Sequence, residues 1–161
     1  MLTLMLALPQ CIDAAGCRNT GPVCGKLCGK VVNNSKWKAK YADLGTSDDL
    51  CHVYNWNGGK GSVGWSEKRV KCAQHDLPVG ATRGGRDNNV DVDGITFADR
   101  RWRIIWEGGQ SYDFAAGVWA KIASGEAVTC TTNADGRVPE CRVKCTCDID
   151  IPGVGSSCVG K

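Results

Sequence analysis

The chain has 161 residues, 20 Lys+Arg against 17 Asp+Glu for a net charge of +3, and a hydrophobic content of 42%. That charge is too small to point to nucleic acid by itself, and the length suits one domain that buries about two-thirds of its unfolded surface. Eleven cysteines, 21 glycines and six tryptophans argue against an ordinary reduced cytosolic protein and for tight turns between aromatic-rich strands.

At the N-terminus, Met1 to Leu8 form an apolar run well short of the ~20 residues that span a bilayer. Followed by Pro9 and the small residues Ala14, Ala15 and Gly16, it reads as a secretory signal over residues 1–14, with 15–161 a single disulfide-rich secreted domain. No Lys or Arg precedes the run, so positive charge there comes from the terminal amine alone. A lipoprotein alternative, with "AAGC" as a lipidation box ending at Cys17, leaves an odd number of cysteines. Cleavage removes Cys11 and Asp13, moving the net charge to about +4 and leaving ten cysteines: Cys17, Cys24, Cys28, Cys51, Cys72, Cys130, Cys141, Cys145, Cys147 and Cys158. An even count in an oxidising compartment predicts about five disulfides. Structural zinc and thioredoxin-type redox sites favour C-x2-C, a spacing absent here, where x3 and x1 occur instead. No metal or cofactor is expected, and the cluster from Cys141 to Cys158 reads as a staple.

Further along, "NNS" at Asn33 to Ser35 is an N-glycosylation sequon. "KWKAKY" alternates, with Trp37, Ala39 and Tyr41 on one side and Lys36, Lys38 and Lys40 on the other, the two-residue period of a half-buried strand. "TSDDLCHVYNW" predicts a short helix capped by Ser47, with Asp48 and Asp49 in its first turn. "SVGWSEKRVKC" predicts a strand, and Val79 to Asn89 a glycine-rich loop made cationic by Arg83 and Arg86. "GITFADRRWRIIWEGG" carries the strongest strand signal, with Trp102, Ile104 and Trp106 on one face and Arg101, Arg103 and Ile105 on the other. "SYDFAAGVWAKIASG" predicts the main helix, about 111–124: Ser111 caps it, Phe114, Val118, Trp119 and Ile122 form a stripe, and Gly125 stops it. "AVTCTTNADGRVPECRVKCTC" predicts a hairpin turning at Asp135-Gly136. The fold expected is α+β, an antiparallel sheet with one main helix and a short helix, stapled at both termini by the disulfides. The core is expected between residues 73 and 129, which hold no cysteine.

Three chemistries have candidate residues. His52 and His75 are the two histidines, the pair a secreted ribonuclease would need for acid and base. "NVDVDG" places Asn89, Asp91, Asp93 and Gly94 as in an EF-hand loop, although position twelve is Arg100 rather than a glutamate. The basic aromatic stretches "KWKAKY", "EKRVK" and "DRRWR" could bind RNA, anionic polysaccharide or phospholipid headgroups. A face of Lys36, Lys38, Lys40, Arg101 and Arg103 requires that their two strands be neighbours. No G-x-S-x-G elbow is present, so catalytic residues are not assigned.

In format, a signal, about 150 mature residues, an even and high cysteine count and no enzyme motif, the chain resembles the small secreted cysteine-rich effectors of plant-associated fungi. "RWR" at Arg101 to Arg103 is similar to a Trp-Arg motif of one avirulence-type family. The resemblance implies a fungal virulence factor that binds a host molecule through exposed loops. The function expected is therefore an extracellular, effector- or toxin-like binding protein. It would be monomeric, without a membrane span, and its partner a host protein or anionic surface. The alternative is a small secreted hydrolase, most concretely a ribonuclease using His52 and His75.

Overall fold

In a computed structural model the described residues are 18–19, 26–55, 66–146, 148–151 and 155–158, with backbone alone described at 18–19, 26, 46, 148–151 and 155–158. Nearly all regular structure is β. In chain order the strands are β1 (Arg18–Asn19), β2 (Lys26–Leu27), β3 (Lys30–Asn34), β4 (Ala39–Val53), β5 (Lys68–Leu77), β6 (Thr82–Gly84), β7 (Gly94–Thr96) and β8 (Trp102–Ile105). They continue with β9 (Ser111–Phe114), β10 (Ala120–Lys121), β11 (Glu126–Thr132), β12 (Pro139–Cys145), β13 (Asp148–Ile151) and β14 (Gly155–Cys158). A single 3-10 turn, Arg86–Asn88, is the only helical element among the described residues.

Two sheets make the body. One has four strands in the order β10-β7-β4-β5, the other six in the order β6-β3-β11-β12-β8-β9, and the pairs β1-β2 and β13-β14 stand apart. The six-stranded sheet is mixed, since β11 runs parallel to β3 and β12 parallel to β8. Between the two sheets lies one core, which takes Val31 from β3, Ala39 from β4, Leu77 from β5, Ile95 from β7, Trp102 and Ile104 from β8, Phe114 from β9 and Val128 from β11. Trp102 stacks on Phe114 with centroids 4.6 Å apart, and its ring is buried. Much of this core comes from residues 73–129, as the cysteine-free centre predicts. A second cluster, Ala42, Cys51, Val53, Val70, Cys72 and Trp119, covers the other face of the four-stranded sheet.

Three expectations are overturned. The main helix does not form: Ser111–Phe114 pairs antiparallel with β8, Val118 N–H closes a turn on Ala115 O at 3.3 Å, and Gly117 sits at φ 74°, which a right-handed helix does not admit. The helical-looking stripe is divided between cores, Phe114 and Ile122 in the first and Trp119 in the second. The short helix is absent too. Ser47 lies at φ 70° in a bulge between Leu44 and Asp49, after which exposed Leu50, buried Cys51 and buried Val53 follow the strand period. Finally, the fold is not α+β with one antiparallel sheet but all-β with a mixed sheet.

The disulfides are in part those expected, each defined one joining two cysteines of the same terminal group. Two are defined, both cross-strand within a sheet: Cys51–Cys72 between β4 and β5, and Cys130–Cys141 between directly opposed residues of β11 and β12. Cys28 and Cys145 are also disulfide-bonded. Cys17, Cys24 and Cys147 lie outside the described residues, as do the side chain of Cys158 and the proposed signal segment. No helix among the described residues is long and apolar enough to cross a membrane.

Candidate functional site

The face of five cations required neighbouring strands, and the fold puts those strands in different sheets. Lys36, Lys38 and Lys40 lead into or lie on β4 in the four-stranded sheet, while Arg101 immediately precedes β8 and Arg103 lies on it in the other. Most are engaged locally. Lys36 Nζ donates to Gly136 O at 2.7 Å and sits 4.8 Å from the Trp37 ring centre, which Arg100 approaches at the same distance. Lys38 pairs with Asp76 at 3.3 Å. Arg103 makes a two-pronged bond to Asp113, at 2.8 and 3.1 Å. That contact raises the guanidinium's pKa and lowers the carboxyl's. Arg83 is exposed on edge strand β6 and donates to the carbonyl of Thr82.

The histidines are likewise apart. His52 contacts Glu67 at 2.9 Å and stands opposite Arg69. His75 is six positions further along β5, about 20 Å at 3.3 Å per residue. It stacks on Tyr41 and lies 3.5 Å from Asp43. Two groups at that separation cannot serve as acid and base on one phosphodiester.

The aspartates of "NVDVDG" are bound by their own chain. Asp91 accepts from Gly29 N–H and from Ser124 Oγ, the latter at 2.7 Å. Asp93 accepts from Leu44 N–H at 2.9 Å, which anchors the β4 bulge. Burial pushes the Asp93 carboxyl up to about 6 against the pull of that N–H, with Asp91 and Asp43 adding repulsion. Among the described residues no three His, Cys, Asp or Glu side chains are placed to share a metal ion. Asn33 of the sequon is fully buried. Its amide donates to Trp37 O at 2.8 Å and Leu77 O at 3.1 Å and accepts from Ser35 Oγ at 2.7 Å, so the folded chain has no room for a glycan there.

A different set of cations does come together. Paired residues in a sheet share a face, and the register aligns Gly84, Lys30, Ala127 and Lys144 in one row across four strands. The next row on that face holds Thr82, Val32, Thr129, Arg142 and Ile105. This face points to solvent: Thr129, Arg142 and Lys144 are exposed and Lys30, Val32 and Ala127 half-buried. Arg142 bonds Glu140 at 2.8 Å, whereas Lys30 and Lys144 form no ion pair among the described residues. A shallow cavity of about 320 Å³ lies over Ala127, Thr129, Thr131, Arg142 and Lys144, and one of about 490 Å³ lies at its end over Lys30, Thr82, Gly84 and Arg86.

The signal for half of this face was present in "ECRVKC", where Arg142 and Lys144 alternate with cysteine and valine. Lys30 could not be added from sequence, because its neighbour in space is a strand near the other end of the chain. No known protein family, curated protein or solved structure matches this chain.

Proposed function

We propose that this chain is a secreted, cysteine-rich binding protein, effector- or toxin-like, that holds an anionic polysaccharide of its target on the outer face of the six-stranded sheet. The observation that carries this reading is the convergence of Lys30, Arg142 and Lys144 with the hydroxyls of Thr82, Thr129 and Thr131 on one solvent-facing surface. Arg142 and Lys144 are about 7 Å apart along their strand, and Lys30 and Lys144 about 10 Å apart across strands. Cations at such spacing attract a polymer of repeated carboxylates or sulfates, and the threonines offer hydrogen bonds to its hydroxyls. Single-stranded nucleic acid would want aromatic platforms for its bases. Among the described residues, no aromatic side chain occupies these two rows. Disulfides within both sheets support an oxidising compartment.

The test is retention on immobilised heparin and polygalacturonate, with a single-stranded oligonucleotide as competitor. Retention at about 20 mM salt is expected, falling steeply as salt rises. Arg142→Gln with Lys144→Gln should weaken it about tenfold or more, while Lys38→Gln with Lys40→Gln, beside and on β4 of the other sheet, leaves it nearly unchanged. Passage straight through at low salt overturns the proposal, as does tighter binding to the oligonucleotide than to either glycan.

A further inference from the structure

We infer that the cavity beside Lys30 is an end subsite that takes one acidic sugar residue, a ring bearing a single carboxylate or sulfate and neighbouring hydroxyls. This rests on the glycan reading above. Its volume, about 490 Å³, falls in the range of about 300–1,000 Å³ typical of small-molecule sites. Part of the wall is glycine: a Cβ at Gly85, which sits at φ 98°, would press on the Lys30 stem at 3.2 Å, so a side chain there would crowd the space.

The walls carry mixed chemistry. Lys30 and Arg86 supply positive charge, Thr82 and Thr146 hydroxyls, and Asp87 and Asn88 a carboxylate beside an amide. A site for a bare inorganic anion would be weakened by Asp87. A sugar uses both parts, its acid group meeting Lys30 and Arg86 and its hydroxyls donating to Asp87 and exchanging hydrogen bonds with Asn88. The cavity also adjoins the proposed polymer-binding face. Lys30 lines it and stands in the same cross-strand row as Ala127 and Lys144, which line the second cavity. A chain lying across Ala127 and Lys144 would therefore end with its terminal residue in this pocket, with Lys30 serving both.

The experiment titrates the whole protein with galacturonate, galactose and inorganic sulfate by calorimetry, beside the polymer-retention assay. Galacturonate should bind at least tenfold more tightly than either control. Asp87→Ala should weaken galacturonate about tenfold while leaving sulfate binding equal or tighter. This side chain is exposed, and an unchanged melting temperature checks that the variant is folded. Arg142→Gln with Lys144→Gln should reduce polymer retention yet leave galacturonate affinity within about twofold. If sulfate matches galacturonate, or Asp87→Ala tightens both, the pocket is a plain anion site and the inference fails. Polymer retained without galacturonate binding removes the subsite and spares the proposed function. Galacturonate bound without polymer retention does the reverse, and absence of both removes both.

Discussion

Replacing Asn33 by alanine should be among the most damaging single changes to this protein. The side chain is fully buried at the end of β3. It ties the Trp37 and Leu77 carbonyls, at 2.8 and 3.1 Å, to the Ser35 hydroxyl at 2.7 Å. These contacts join β3 to the segment entering β4 and to the end of β5, so the amide bridges both sheets. Each hydrogen bond contributes about 1 kcal/mol net, and each buried group left without a partner costs about 1–3 kcal/mol. The Trp37 carbonyl and the Ser35 hydroxyl keep each other at 3.1 Å, so three lost bonds with the Leu77 carbonyl left short give a loss of about 4 kcal/mol, and in a chain of this size about 8–16 °C in melting temperature. Urea unfolding with the disulfides intact, followed by tryptophan fluorescence, measures it directly. Asn33→Asp provides a second reading: it keeps the acceptor for Ser35 but turns an anionic oxygen toward two carbonyls. It should match alanine at pH 7 and recover part of the loss near pH 3, where a protonated acid donates to one of them. A loss below about 1 kcal/mol for Asn33→Ala would refute this account of how the sheets are joined. So would a folded, secreted protein carrying a glycan at this position.

Asp93 gives a prediction in pH. Its folded pKa, about 6, lies above the ordinary 3.8, so the folded state holds the proton more tightly. Its contribution is therefore most favourable at acid pH and is lost as pH rises through about 4 to 6. The ionised form costs up to about 3 kcal/mol, nearer 2 with its wet portion screened. Asp93→Asn should raise stability relative to the parent at pH 8 and not at pH 3.5; an equal shift at both values would refute it. Replacing both Cys51 and Cys72 by alanine opens a loop with a sequence separation of 21, worth about 3 kcal/mol by chain entropy in denaturant unfolding. Trp102→Ala, at the centre of the core, should cost about 3–5 kcal/mol in the same assay.

The parts of the fold legible in sequence were those set by the two-residue period. "RWRIIW" announced β8 because Trp102, Ile104 and Trp106 all face inward, and "ADG" announced the turn between β11 and β12. The main helix was misread because 3.6-residue spacing and two strands joined by a turn place similar residues at similar intervals. Phe114 and Trp119 look like one stripe until Gly117 reverses the chain and sends them to different cores. Asp48 and Asp49 looked like a helix start for a comparable reason, since acids at a helix N-terminus and acids beside a bulge are the same letters. The candidate site was half legible. Alternation pointed to Arg142 and Lys144, but Lys36 and Arg103 looked equally good, and only pairing partners separate them. That separation is tertiary: Asp113 answers Arg103 from a strand that sequence had assigned to a helix.

The parallel pairing of β3 with β11, which sets Lys30 beside Ala127, has a kinetic meaning as well as a geometric one. Contacts that close so long a loop form late, after local hairpins such as β4-β5 and β8-β9 have found their register. The row that sets Lys30 beside Ala127 and Lys144 is thus expected to complete late in refolding, after the local β11-β12 hairpin that carries Arg142 and Lys144. Fluorescence of the core should recover before ligand retention does, and a chain interrupted between β3 and β11 should regain neither the row of lysines nor the pocket at its end.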